Sequence, residues 1–203
     1  MQLLIDTDAF CKLGVTNLLD DSLAALGVAL RECARLPALP YMLRRGHLVR
    51  LYGVEACARL ISVAESIPAI SPLDSPTFFE LALLPNIDIG EAQIYAAALE
   101  CASRVVSGDK RALRTLKSIG TITLKLAGRV IVLESLLVRL CTRLGSDTVR
   151  ARILPIIGID KMLGICFASA NSNPRIGLLS YFSSLQEEVL PLQLWNPENE
   201  GAV

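Results

Sequence analysis

The sequence is short of most features that announce a function. It has a single histidine, His47, and its six cysteines (Cys11, Cys33, Cys57, Cys101, Cys141, Cys166) include no Cys-x-x-Cys pair. Structural zinc needs clustered Cys and His ligands, so this spacing argues against it. The cysteines read instead as small buried hydrophobes in apolar helical contexts. With His47 the sole imidazole, placed in a basic stretch, serine or cysteine nucleophilic catalysis is disfavoured. No Gly-x-x-x-x-Gly-Lys phosphate loop is present. Twenty Lys and Arg balance twenty Asp and Glu, so no broad field points to nucleic acid. Aromatic residues are only 5% of the chain, which does not suggest base stacking of the kind general single-strand binders use. Apolar runs are broken well before the ~18 residues that a spanning helix needs. The opening Leu3-Leu4-Ile5 meets Asp6 at once, without a basic n-region before it. A cytoplasmic protein that does not engage membranes is expected.

What the chain does have is apolar content. At 203 residues and 52% hydrophobic, it is long enough to bury one sizeable core, with room for an appendage. Residues 2–5 read as a buried strand, 9–15 as a helix, and 16–26 as a second helix. A second strand is expected within 28–36, a short helix over 40–45, and one long helix over 47–67, stopped by Pro68. Residues 69–73 suit a strand and 77–84 a helix after the cap Asp74-Ser75-Pro76. Asp88-Ile89-Gly90-Glu91 opens an apolar helix to Cys101; residues 104–107 read as a strand, 110–119 as a helix, and the β-branched 121–126 as a strand. Alternating helices and strands predict a parallel β-sheet flanked by helices, an α/β domain over residues 1–127. Residues 128–203 predict a helical C-terminal extension packed on it, with helices over 130–144, 147–157, 160–170 and 174–189. The tail from Pro191 looks loosely docked.

In an open parallel sheet, ligands bind beyond the carboxyl ends of the strands, where strand order reverses. Asp6 ends the first strand, Asp109 follows a later one, and Glu91 opens the helix between. Asp8 and Asp88 lie next to them. Crowded carboxylates raise one another's pKa, and a hard divalent cation relieves that conflict. Mg²⁺ or Mn²⁺ held there would suit phosphodiester hydrolysis. Capping offers a plainer explanation: Asp88 with Glu91 fits a capping box, and Asp109 and Asp8 fit N-caps. Asp6 is the least easily explained as a cap. Lys110, Arg111, Arg114 and Lys117, with Arg44, Arg45 and Arg50, could meet phosphates or simply be solvated helix faces. Lys110, Arg111 and Arg44 are the candidates for substrate contact.

Three segments, in order, resemble motifs of PIN-domain proteins: Leu3-Leu4-Ile5-Asp6-Thr7-Asp8, Asp88-Ile89-Gly90-Glu91-Ala92, and Val105-Val106-Ser107-Gly108-Asp109-Lys110-Arg111-Ala112. The second is similar to the subgroup with a Gly-Glu-Ala helix start. The resemblance covers residues 1–127. It implies a PIN-like fold, a Mg²⁺ or Mn²⁺ cluster with Asp6, Glu91 and Asp109 as metal ligands and catalytic residues, Asp8 adjacent, and ribonuclease activity on single-stranded RNA. Many relatives are toxins of toxin–antitoxin pairs, which implies a protein partner or antitoxin; a homo-oligomer is also compatible. The family usually carries a further acid where residues 41–51 stand here, and that stretch holds Arg44, Arg45, His47 and Arg50 instead. Two competing expectations follow. One is a catalytically degenerate PIN-like module for RNA binding or protein interaction. The other is a haloacid-dehalogenase-like phosphatase, suggested by Asp6-Thr7-Asp8, although Phe10 and the single later acid Asp109 depart from that pattern.

Overall fold

The computed structural model describes residues 1–71, 74–169 and 172–199. β1 (Leu3–Ile5) is buried along its whole length and ends because Asp6 caps α1 (Thr7–Val15). Asn17, in the left-handed region at φ 53°, turns the chain into α2 (Leu19–Ala25). β2 (Cys33–Arg35) falls inside the expected 28–36 window. α3 (Leu39–Arg44) follows. The single helix expected over 47–67 is two, α4 (His47–Tyr52) and α5 (Val54–Ser66). Gly53 separates them at φ 86°, a backbone state closed to most side chains. Ser75 caps α6 (Pro76–Ala82), with proline in the first turn. Then come α7 (Ile89–Glu100), β3 (Arg104–Ser107), α8 (Lys110–Leu116) and α9 (Gly120–Leu126). β4 (Val130–Val132) leads into α10 (Leu133–Leu144), α11 (Ser146–Ile153), α12 (Lys161–Phe167) and α13 (Pro174–Val189).

Three expectations are corrected. The β-branched stretch 121–126 is helical, because Ile122 and Leu126 are buried one turn apart while Leu124 is 81% exposed. Amphipathic packing at helical period outweighs local β propensity there. The strand is instead Val130-Ile131-Val132, which had read as the start of a helix; a three-residue apolar run has no period to distinguish the two. Residues 191–195 are not loosely docked. Leu192 and Leu194 are buried, and Leu194 bridges to Val130 while Trp195 N–H donates to the Val130 carbonyl at 2.8 Å. Of the strand expected over 69–73, Ala69 makes one isolated bridge to Arg35; Pro72 and Leu73 lie outside the described residues. Residues 170 and 200, at the ends of expected segments, also lie outside them.

The sheet is four-stranded and all-parallel, in the order β2-β1-β3-β4. Alternate residues divide the core into two layers. Leu3, Ile5, Val106 and Ile131 join α1, α2, α5 and α10 on one face, and Leu4, Val105, Val130 and Val132 join α7, α8 and α9 on the other. The chain thus has the predicted α/β architecture, with helices on both faces and a helical C-terminal segment against it. α13 contributes to both layers, Leu178 to the first and Phe182, Leu185 and Val189 to the second. Five cysteines are buried and Cys101 is exposed; all six are free thiols. Among the described residues, no helix is long and apolar enough to cross a membrane.

Lys12 fastens the C-terminal helices to α1. Its ammonium lies 2.8 Å from Asp8 and 2.5 Å from Asp160, whose carboxylate also caps α12 by accepting from the N–H groups of Met162 and Leu163. Burial pushes Asp160 up, but Lys12 and the two N–H groups outweigh it and hold the carboxyl below its usual range. A depressed carboxyl stabilises the fold above its unfolded pKa and loses that contribution as pH falls through the folded value. Asp160→Ala should therefore cost about 2 kcal/mol at pH 7, and the gap between variant and wild type should narrow in strong acid, as the pH falls through the depressed folded value. Urea denaturation at pH 7 and in strong acid checks this; a gap that persists unchanged in acid would refute the pairing.

Candidate functional site

In strand order β2-β1-β3-β4, the chain runs outward from β1 in both directions, so the switch point lies between β1 and β3. Each of these strands passes straight into a helix, and the cap residue of each helix is acidic. Asp6 Oδ1 accepts the Ala9 N–H at 2.6 Å, and its Oδ2 accepts the Gly108 N–H at 2.8 Å, from 102 residues away. Asp109 caps α8, accepting from Arg111 N at 2.7 Å and Ala112 N at 3.4 Å. On α7, Asp88 and Glu91 form a reciprocal capping box, both bonds at 2.8 Å. The cap therefore lies at Asp6 rather than Asp8, which stands in the first turn and pairs with Lys12.

These elements close around one cavity of about 690 Å³. Asp6, Asp8, Asp88, Glu91 and Asp109 line it, with Leu36, Met42 and Ile89 forming an apolar wall. The approach of the two loops is close: a Cβ on Gly108 would lie 2.7 Å from Asp8 Oδ2, so any larger residue there would have to push the Asp8 carboxylate aside. The carboxyl groups of Glu91 and Asp109 lie close enough to act on one another. Burial raises Glu91 to about 7, the charges of Asp109 and Asp88 adding to it. Burial acts on Asp109 in the same sense, but the Arg111 side chain and two N–H groups outweigh it and keep the carboxyl low. Asp6 is raised to about 6, chiefly by burial and partly by Asp8, against the N–H groups of Ala9 and Gly108 and the Ser107 hydroxyl.

The residues expected to meet a substrate are engaged within the fold. Lys110 is 2.5 Å from the buried Glu134 and lies over the Tyr181 ring. Arg111 holds Asp109 at 2.7 Å, and Arg44 pairs with Glu65. Arg114 binds Glu188 at 2.5 Å, and Lys117 donates to the Glu188 carbonyl.

Sequence reasoning missed the hydroxyls. Tyr95 is fully buried, and its Oη has no well-formed hydrogen bond. The Ser107 hydroxyl approaches both it and Asp6, and the charges of Asp6, Glu91 and Asp109 all reach it. Thr7, on the cavity wall, has a buried Oγ1 likewise without a partner. Tyr95 follows Glu91 by four residues on a helix, so their shared face was available from spacing alone.

The donor set at the cavity is all oxygen, with no His or Cys in the lining, which is the chemistry of a hard cation such as Mg²⁺ or Mn²⁺. The two partnerless hydroxyls beside the acids fit a site that takes a ligand. Among the described residues, no group of three or more acidic, His or Cys side chains already stands in a metal-holding arrangement. Asp109 is turned to Arg111 and Asp6 to backbone N–H groups, so ligation would require Asp109 to leave its arginine.

Comparison with protein-family models, with curated proteins and with solved structures finds no match for this chain.

A buried hydroxyl without a partner costs stability rather than adding it. Tyr95→Phe is thus expected to leave stability unchanged or raise it by about 1 kcal/mol in chemical denaturation. A loss of more than about 1 kcal/mol would mean that Oη is hydrogen-bonded in solution.

Proposed function

We propose that the chain is a PIN-like, metal-dependent ribonuclease that hydrolyses phosphodiester bonds of single-stranded RNA at the acidic cavity. The observation that carries this reading is the convergence of Asp6, Glu91 and Asp109 on one cavity at the switch point of a parallel sheet. Support also comes from the order of the three motifs and from the all-oxygen donor set. Asp6, Glu91 and Asp109 would hold the ion, with Asp8 beside them. When bound, Mg²⁺ or Mn²⁺ supplies an acidified water and neutralises charge on the phosphate. The chain's own contribution is positional. Gly108 and Ala9 fix Asp6 by both oxygens, the Asp88 box fixes the start of α7 and so Glu91, and Lys12 keeps Asp8 at the rim. The apolar wall of Leu36, Met42 and Ile89 limits water around the acids.

A second reading, a degenerate module that binds RNA or a protein without cutting, is favoured by the Asp109–Arg111 pair and by the acid-free α3 and α4. A phosphatase using Asp6 as nucleophile is less well supported. Both Asp6 oxygens already accept N–H groups, and Asp8, the acid/base in that scheme, is tied to Lys12.

Asparagine caps helices about as well as aspartate, so Asp6→Asn with Asp109→Asn removes charge and keeps the cap bonds, while giving up the Gly108 N–H bond that the second Asp6 oxygen accepts. The double variant should retain its circular dichroism spectrum, lose Mn²⁺ binding by calorimetry, and cleave single-stranded RNA at least about a hundredfold more slowly. Altering outer-shell partners of a metal alone costs 10–100-fold. Wild-type protein that neither binds Mn²⁺ at millimolar concentration nor cleaves RNA would leave the degenerate module standing.

A further inference from the structure

The chain is poor in aromatics, yet one exposed ring, Tyr41, adjoins Met42, which lines the acidic cavity. Tyr41 is 58% exposed, and the Arg45 guanidinium lies 4.8 Å from its ring centroid. Ala38 and Met42, three residues before and one after Tyr41 at the α3 end of the wall, line the cavity itself, and Arg45 follows α3 in extended backbone. Arg45 has no carboxylate partner among the described residues, whereas its neighbour Arg44 is paired with Glu65. Of these two adjacent cations the one left available is therefore Arg45, not the Arg44 expected from sequence. An exposed ring with one face against a guanidinium offers its other face to a flat π-system, and the guanidinium offers its donors to a phosphate. Leu36 and Met42 continue this apolar surface inward toward Asp6 and Glu91.

We propose that Tyr41 and Arg45 form a subsite for one unpaired nucleotide of single-stranded RNA, the base stacking on Tyr41 and its phosphate meeting Arg45. The proposal deepens the nuclease reading and rests on it only for the direction in which the strand runs, from Tyr41 to the acids. Base-paired RNA cannot offer a free base face to an isolated ring, so single strands are selected by geometry rather than by charge.

The test is fluorescence anisotropy of the full chain with a fluorescein-labelled single-stranded RNA decamer, in EDTA so that nothing is hydrolysed. Tyr41→Ala should weaken binding about tenfold, and Tyr41→Phe should stay within about twofold of wild type. Arg45→Ala should weaken binding and reduce the salt slope by about one. A duplex of the same sequence should bind less tightly than the single strand. Both side chains are exposed, so an unchanged melting curve checks folding. The subsite is overturned if Tyr41→Ala binds like wild type, if the duplex binds as well as the single strand, or if wild type binds no RNA. Metal-dependent cleavage that survives in Tyr41→Ala at unchanged affinity removes the subsite and leaves the nuclease. Tyr41-dependent binding by a chain that cleaves nothing does the reverse.

Discussion

The strands of this sheet are three or four residues long, so the ladder itself offers few hydrogen bonds to hold β1 against β3. The Asp6 carboxylate adds what the ladder lacks. One oxygen closes the first turn of α1, and the other takes the Gly108 N–H just beyond β3. Its carboxyl is raised to about 6, mainly by burial, and a side chain at Gly108 would displace the Asp8 carboxylate. The clamp also places Asp109, which follows Gly108 directly, and Asp109 in turn lies close to Glu91.

A parallel α/β sheet gathers such acids for a structural reason. Each strand runs in the same direction and feeds a helix, so helix N-caps collect at one edge, and aspartate is among the best residues for that position. Asp6, Asp88 and Asp109 all cap helices here. Capping alone therefore accounts for acids at the edge, and the positive helix ends offset part of their charge. Capping does not account for the closeness of Glu91 to Asp109, for the partnerless Thr7 hydroxyl on the wall, or for the cavity of about 690 Å³ that these residues line. Those three features go beyond what a set of helix starts requires.

Legibility in the sequence followed signal strength. Asp88 through Cys101 read correctly because a capping box and an unbroken apolar helix agree at every level. β3 and the first strand were legible as apolar runs ending in an acid. Residues 121–132 were not, because Thr121, Ile122 and Thr123 favour strands locally while burial at helical period decided their state. Gly53 read as part of a helix, since nothing in a single sequence reveals a positive φ. The acids of the site were found by order and context. Tyr95, Ser107 and Thr7 were passed over because an apolar helix, a strand end and a helix start already explained them.

Misplacing β4 also hid an acid. Ser107 pairs with Val132, so Asp109 and Glu134 stand two residues beyond matched positions on neighbouring strands. The carboxyl edge thus carries a row of three acids, Asp6, Asp109 and Glu134, on β1, β3 and β4 in turn. Their compensation is graded. Glu134 is 2% exposed and held 2.5 Å from Lys110, as an ion pair rather than an aligned hydrogen bond, and it lies outside the cavity lining. Asp109 lines the cavity and carries Arg111. Asp6 and Glu91 have no cationic side chain within ion-pair distance among the described residues. A buried charge without a counter-ion is the costly case, and here it is confined to the switch point. Lys110 and Arg111 are committed to Glu134 and Asp109, so at Asp6 and Glu91 burial is met by backbone N–H groups and by a raised affinity for a proton rather than by this chain's own Lys and Arg.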